Sequence, residues 1–399
     1  MEAVCGLRAP LSPALSPLLR RREREKAALR PEAMRAVRWM RVVLVSPGAL
    51  RHNREMKFSA PALRLLPVAA LLLILAATGC GKKGEAAKSQ SSSSDPAVAP
   101  PQGAVELKLK LPVGARFPMR IEVVQKSEMR IPSMPKPMQQ ETTLNQELRF
   151  TVLKEYEGGG REVELEFSDV DMSVMVNGRE AMAFDSRGES LGGQDNPAAS
   201  AFQRMVGAKL KYVLDESNQV AKVEGWSELV TKMFANSPGA RMMAGVFTED
   251  YFKQLADFSQ GLPGKAVQPG DTWPVKRTTV MGPLGEATLD LTYTFKNWEL
   301  REKRQCARLE FSGPIRAGAP STNSVMMGIR MAILDGTTSG QSWFDPELGL
   351  TIDADVNLKM NVLMSFPGTN APARGANMSG SMTNVMDQRI HLKLQPDAK

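Results

Sequence analysis

Residues 352–364 read Ile-Asp-Ala-Asp-Val-Asn-Leu-Lys-Met-Asn-Val-Leu-Met, and every second side chain from Ile352 to Met364 is apolar. A period of two is typical of a β-strand with one buried and one solvated face. Such runs reach about 12–16 residues here, whereas strands usually have about 5–6, and strands this long must twist. The same alternation recurs in residues 105–111, 117–123, 144–152, 289–295 and 325–333.

These segments decide the predicted fold class. We expect a mainly β (α+β) protein with about 12–14 mostly antiparallel strands. They should form a long-stranded, strongly curved antiparallel sheet or half-barrel. Between Phe167 and Val170 the apolar residues change from odd-numbered to even-numbered positions, a change of parity that predicts a β-bulge near Ser168.

One central stretch, residues 225–263, breaks the period of two and predicts a helical insertion. Thr248 suits a helix N-cap, as does Ser237, and Gly261 before Leu262 and Pro263 suits the end of the last helix. We expect the helices to pack on the concave, apolar face of the sheet. The large apolar side chains at helical spacing include Trp226, Met233, Phe234, Phe252 and Phe258.

An internal repeat brackets this insertion. Gly114-x-x-Phe117-Pro118 recurs as Gly270-x-x-Trp273-Pro274. Three more fragments recur in the same order: Glu141-x-Thr143-Leu144 as Glu286-x-Thr288-Leu289, Leu165-Glu-Phe-Ser168 as Leu309-Glu-Phe-Ser312, and Phe184-Asp185 as Phe344-Asp345. They predict repeat-like halves at about 104–224 and 264–399 within a β-rich domain of residues 104–399. Convergent β composition is the alternative.

Residues 56–80 carry the features of an export signal. A basic start precedes an apolar core from Leu65 to Ala77, which is shorter than the roughly 20 residues that span a bilayer. Ending in Ala77-Thr78-Gly79-Cys80, the segment resembles a bacterial lipoprotein signal peptide with its lipobox. The resemblance implies cleavage after residue 79 and lipidation of the Cys80 thiol. A buried helix with a chance cysteine at its end is the alternative.

The flanking segments fit this layout. Residues 80–103 are rich in Ser, Gly and Pro and predict a flexible tether. Residues 1–55 are Arg-rich and aperiodic, which indicates an over-extended start or an extended n-region. Gly81 follows the cysteine where an Asp would resemble an inner-membrane retention signal. We therefore expect a cell-envelope protein, lipid-anchored in the outer membrane and facing the periplasm rather than in the inner membrane.

Charge and composition exclude several functions. The chain has 399 residues and a formal net charge of +8, but residues 1–79 hold 14 basic and 5 acidic side chains, against 37 and 38 in the remainder. No nucleic-acid partner is expected from a neutral body. The histidines are His52 and His391, too few for histidine-based catalysis, and we expect a solvated imidazole at His391. We predict no catalytic residue, no metal and no cofactor.

The body of the chain resembles a family of uncharacterised bacterial lipoproteins, known as a domain of unknown function. The residues that carry this resemblance are Gly270-Asp-Thr-Trp273 and Asp345-x-x-x-Gly349-Leu350, and it covers about residues 104–395. The expected architecture also looks like the periplasmic half-barrels that carry lipid-modified proteins. This second likeness concerns shape only, because a fold does not fix a function.

The candidate site is an apolar ligand surface formed by Trp226, Met233, Phe234, Phe252, Phe258, Met360 and Met364. Met360 and Met364 share one face of a strand, and methionine suits adaptable apolar sites. A methionine-filled core and Cu(I) binding are the alternatives. Cys306 is a lone thiol, either inert or reactive.

Three functions remain open. The leading interpretation is non-enzymatic binding of an apolar ligand, such as a lipid, or of an envelope component. The second is a structural or interaction module with a filled core, and the third is an enzyme of unrecognised type. The membrane, through the lipid anchor, is the expected partner, and the sequence identifies no protein partner.

Overall fold

The computed structural model describes residues 101–396, apart from 133, 189–196, 236–246, 260, 282–283, 319–324, 327–328 and 367–379. Cys80, the signal peptide, residues 1–55, most of the tether and Ser237 lie outside the described residues. In the described part, antiparallel strands dominate: β1 (Arg116–Arg130), β2 (Met138–Glu155), β3 (Arg161–Val176), β4 (Arg179–Asp185), β5 (Lys209–Leu214), β6 (Val220–Glu224), β7 (Thr272–Val280), β8 (Glu286–Arg301), β9 (Arg304–Ala317), β10 (Val325–Met326), β11 (Ile329–Asp345), β12 (Leu350–Phe366) and β13 (Gly380–Leu394).

The strands form one open sheet, which confirms the predicted fold class. Its order is β6-β5-β3-β2-β1-β13-β12-β11-β9-β8-β7, with β4 paired to β3 and β10 paired to β11. Because β6 and β7 stand at opposite ends of this order, the sheet does not close. The first and last long strands, β1 and β13, are direct neighbours.

The alternating pattern buries one face of each long strand, as β12 shows. Ala354, Val356, Leu358 and the apolar positions after them are buried, whereas the side chains between them keep contact with solvent. The face that carries the main core is called the inner face below, and the opposite one the outer face. Ile352 departs from the pattern because a register shift beside Trp343 leaves it without a partner residue in the β11–β12 pairing. Its side chain packs with Trp343 in a small separate cluster.

The sheet curves strongly, as predicted. Leu148 in β2 and Tyr293 in β8 line the same cavity of about 120 Å³. In a flat sheet these strands, six positions apart in the order, would be separated by roughly 29 Å at about 4.8 Å per spacing. Only a curved sheet can bring both side chains to one small cavity.

The helices in the described residues are short: α1 (Pro197–Met205), α2 (Trp226–Met233), α3 (Glu249–Lys253) and a 3-10 helix at Gln254–Ala256. Thr248 caps α3 as predicted, because its hydroxyl accepts a hydrogen bond from the Tyr251 backbone N–H at 3.3 Å. The predicted end at Gly261 is wrong, since the helical turns stop at Ala256. Gly261, at φ 78°, instead allows close approach to Tyr293, whose ring would collide with a Cβ there.

The repeated fragments fall on equivalent strands. The first three fragments of each set lie on β1-β2-β3 and on β7-β8-β9, and both sets are consecutive antiparallel strands. Phe150 faces Leu165 across the first pairing, and Phe295 faces Leu309 across the second. Duplication stays a prediction. The bulge near Ser168 is confirmed, because Glu147 pairs with Asp169 and Leu148 with Phe167, which leaves Ser168 as the extra residue.

Candidate binding cavity

A cavity of about 120 Å³ lies between the helical insertion and the inner face of the sheet. The insertion contributes Leu255, Phe258 and Leu262, and the sheet contributes side chains from both halves of the chain. Most of the lining is apolar, with a few polar groups such as Asp257 and Ser342. The apolar sheet residues are Phe117, Met119, Ile121, Leu148, Phe150, Tyr293, Leu309, Phe311, Leu350, Ala354, Ile390, Leu392 and Leu394.

Several hydrogen bonds join the insertion to the sheet, and those of Tyr212 and Trp273 flank the segment with Phe258. The hydroxyl of Tyr212 donates to the backbone carbonyl of Phe252 at 3.1 Å, and the indole N–H of Trp273 donates to the carbonyl of Gly261 at 3.0 Å. Burial raises the pKa of Tyr212 well above its usual value, so its hydroxyl stays a neutral donor. These bonds fix the segment that contains the cavity-lining Phe258 at both of its ends.

Aromatic rings form much of the cavity wall. Phe258 meets Phe150 edge to face, with ring centroids 4.7 Å apart and planes at 80°. Tyr293 stacks on Phe311 at 4.4 Å and on Trp273 at 5.9 Å. Tyr293 on β8 lies directly opposite both Trp273 on β7 and Phe311 on β9. The register of the sheet therefore places the three rings in one row.

One acidic side chain belongs to this mostly apolar lining. Asp257 lines the cavity, and it interacts electrostatically with Tyr293 and with Arg277 of the edge strand β7. Burial raises the pKa of Tyr293 to about 12, while Arg277 acts in the opposite direction. At neutral pH the tyrosine is therefore a neutral wall residue.

Of the seven predicted surface residues, Phe258 alone lines this cavity. Trp226 is partly buried against the main core. The other five are buried inside it: Met233, Phe234, Phe252, Met360 and Met364.

The two methionines of β12 lie far from the cavity. Met360 faces Met386, and Met364 faces Met382, across the β12–β13 pairing. Val356 faces the cavity-lining Ile390, and Met360 is four residues beyond Val356, a distance of about 14 Å along a strand. The sequence placed the methionines on the correct face, but the structure does not bring them to the cavity.

Sequence reasoning missed most of the wall residues, although one signal pointed to some of them. Phe117 and Phe311 belong to the repeated fragments, and both line the cavity. Ile390 and Leu392 of β13 carried no comparable signal, because an alternating strand shows which side chains are buried but not which border a space.

The outer face carries His391 and Cys306. His391 Nδ1 lies 2.9 Å from Asp355 Oδ1 and 3.7 Å from Asp353 Oδ1, and its pKa is raised chiefly by the hydrogen bond with Asp355. Cys306 is completely buried against Trp343. Burial raises the pKa of its thiol to about 12, so the reactive thiolate is disfavoured at neutral pH.

The described residues contain neither a group of potential metal ligands nor a helix that could span a membrane. No three His, Cys, Asp or Glu side chains in that part of the chain are grouped so that they could hold a metal ion. No helix within the same ranges is long and apolar enough to cross a membrane.

Residues 159–351 match the family model of DUF6263, a family of unknown function. This match is consistent with the expected likeness to an uncharacterised family, although it covers less of the chain than the expected residues 104–395. The matched region holds the residues on which that expectation rested, from Gly270 to Leu350. It leaves out β1, β2, β13 and nearly all of β12, four neighbouring strands in the middle of the sheet.

Similarity to solved structures is weak. A lipovitellin chain, solved to show lipid–protein interactions, gives a TM-score of 0.36 at 11% identity over 73% of this chain and 26% of that one. The present chain thus spans about a quarter of the lipovitellin chain. DynF of the dynemicin pathway from Micromonospora chersina gives a TM-score of 0.18 at 8% identity, over 78% of this chain and 95% of that one. A DUF1329 family protein from Desulfovibrio piger gives a TM-score of 0.12 at 10% identity, over 71% of this chain and 87% of that one. No curated protein matches the chain.

Proposed function

We propose that this protein binds an apolar small molecule, or the apolar part of an envelope component, in the cavity between the helical insertion and the inner face. The observation that carries the proposal is the cavity itself, with its predominantly apolar and aromatic lining. Concave, mostly apolar sites with a few polar groups are the usual form of small-molecule sites. The role is binding, without turnover.

The size of the cavity limits what enters it. An apolar cavity of about 150 Å³ in another protein holds one benzene molecule. The present space of about 120 Å³ therefore suits a single ring or a short stretch of alkyl chain. A larger ligand would place only part of itself between Phe258 and the sheet.

The proposed place of action is the periplasmic face of the outer membrane. This part of the proposal rests on the lipobox-like sequence that ends at Cys80, on the following Gly81 and on the tether after it. A lipid anchor would hold the cavity close to a supply of apolar molecules.

A structural module with a filled core is the second candidate, and one observation favours it. Phe252, Met360 and Met364 are at least 95% buried in the main core. These three residues, which the sequence marked as part of a ligand surface, therefore serve as ordinary packing on α3 and β12.

Cavity filling distinguishes the two candidates. Ala354 is fully buried and lines the cavity, so Ala354→Leu would place three more carbon atoms in that space. We expect the neutral fluorescent probe N-phenyl-1-naphthylamine to bind the native wild type. Ala354→Leu should weaken that binding at least tenfold while stability is kept or raised, as cavity filling commonly does.

Ala332→Leu is the matched control, because Ala332 is exposed on β11. It should leave probe binding unchanged. If the native wild type does not bind the probe, and Ala354→Leu is strongly destabilised by overpacking, the filled-core candidate is correct instead.

A further inference from the structure

Buried side-chain amides without partners lie on the inner face, beyond the cavity. Both side-chain polar atoms of Gln125 and of Gln388, and the Oδ1 of Asn384, are buried and make no hydrogen bond. The exposed fractions of these residues are 2%, 0% and 3%. Buried polar groups are nearly always paired in proteins, because an unpaired one has lost water without compensation.

Gln125 and Gln388 form one row. They lie directly opposite each other on β1 and β13, so the sheet places two donor groups and two acceptor groups side by side. Gln140 of the neighbouring β2 shows the usual arrangement, because its amide donates to the Thr142 hydroxyl at 3.2 Å. The row of Gln125 and Gln388 is thus unlike the satisfied polar pair beside it.

The row is close to the cavity. Ile390 lines the cavity, and Gln388 is two residues further along the same face of β13, a distance of about 7 Å. A molecule with its apolar end beside Ile390 could therefore reach the amides with a short spacer.

The surroundings of the row select the chemistry of the polar group. A charged group would find no counter-charge among the neighbouring side chains of the sheet, and burying an unpaired charge is strongly unfavourable. A neutral group that both donates and accepts hydrogen bonds would satisfy the glutamines. The nearest side chains on this face are all uncharged: Val123, Ser127, Thr142, Leu358, Met386 and Ile390.

We infer that Gln125 and Gln388 bind the neutral polar group, of amide type, of an amphiphilic ligand whose apolar end occupies the cavity. The inference rests on the proposed function and adds the class of ligand. It assigns to the row the role of recognising the polar group, and to the cavity the role of holding the apolar end.

The test compares two isosteric ligands on the full chain. 4-Phenylbutanamide carries a phenyl ring, a three-methylene spacer and an amide, and (4-methylpentyl)benzene replaces the amide by an isopropyl group. Each displaces N-phenyl-1-naphthylamine in a fluorescence titration. In Gln125→Leu/Gln388→Leu, the affinity of the amide relative to the hydrocarbon should fall about tenfold, equivalent to about 1.4 kcal/mol.

Thermal stability gives a second readout. The unliganded double variant should melt at a higher temperature than the wild type, because apolar groups of similar shape replace unpaired amides. Gln341→Leu is the control on the outer face, where Gln341 donates to Asp355 and accepts from Arg308. It should lower the melting temperature and leave the ligand preference unchanged. If the double variant does not fold, Gln388→Met alone replaces it. The preference for the amide should again fall, and the melting temperature should again rise.

Each outcome has a distinct meaning. If the probe binds but the preference for the amide is the same in wild type and double variant, the row holds water only, and the inference is wrong while the proposed function stands. If the native wild type binds no probe, the proposed function fails and the inference fails with it.

Discussion

Truncating two phenylalanines of the insertion should have unequal effects on stability. Phe252 is 1% exposed and packs in the main core, whereas Phe258 is only partly buried and lines the cavity. Phe252→Ala creates a new void in closely packed surroundings, and we expect it to lower the free energy of unfolding by about 3–5 kcal/mol. Phe258→Ala enlarges a space that already exists.

The smaller expected effect of Phe258→Ala follows from its contacts. The variant loses the edge-to-face pair with Phe150, which contributes about 0.5–1.5 kcal/mol beyond burial. The partly exposed ring also contributes less burial than a core ring, about 1–2 kcal/mol, so the total should be about 2–3 kcal/mol.

Urea unfolding followed by tryptophan fluorescence measures both variants on the full chain. Probe titration should accompany it, because only Phe258→Ala changes the cavity wall and should alter the affinity for N-phenyl-1-naphthylamine. Equal losses of about 3–5 kcal/mol for both variants, with no probe binding by the native wild type, would refute the reasoning.

Three further predictions concern single residues. Cys80→Ala should leave the precursor uncleaved and remove the protein from detergent-extracted lipoprotein fractions, and an unchanged size and membrane association on immunoblots would contradict lipidation. Hydrogen bonds from Lys154 and then Tyr156 lower the pKa of Glu162 from 4.5 to about 2. Its carboxylate therefore stabilises the fold above pH 4.5 and loses this effect as the pH falls toward 2. Glu162→Gln should be less stable than wild type in urea unfolding at pH 7, with a difference that shrinks toward pH 2; a constant difference would argue against the ion pair. Cys306, in a background without Cys5 and Cys80, should not react with Ellman's reagent at pH 8 until guanidinium unfolds the protein, since its pKa is about 12; rapid reaction of the native thiol would contradict its burial.

Much of the fold follows from local patterns in the sequence. Strand β12 keeps the period of two for most of its length, and the parity change at Ser168 marked a real bulge. The bulge at Ile352 was not predictable, because apolar residues continue at every second position from Ile352 onward. Gly261 misled the prediction because tertiary approach to Tyr293, and not a helix end, requires a glycine there.

The site was less predictable than the fold. Helical spacing drew attention to Phe258, and alternation assigned Met360 to the inner face. Neither pattern contains the pairing order, which places β1 beside β13 and joins side chains distant in the sequence around one space. The unpaired amides of Gln125 and Gln388 were equally hidden, because an inward-facing glutamine looks unremarkable until its neighbours on adjacent strands are known.

Native mass spectrometry of the full protein, purified from its native cells under non-denaturing conditions, tests the central claim most directly. The wild type should carry a non-covalent mass in addition to any acyl modification, released on gentle activation in the gas phase. Ala354→Leu, with its cavity filled, should lack that mass, and Ala332→Leu should retain it. A bare mass for the wild type, or the same bound mass in Ala354→Leu, would contradict the claim that the cavity is a binding site.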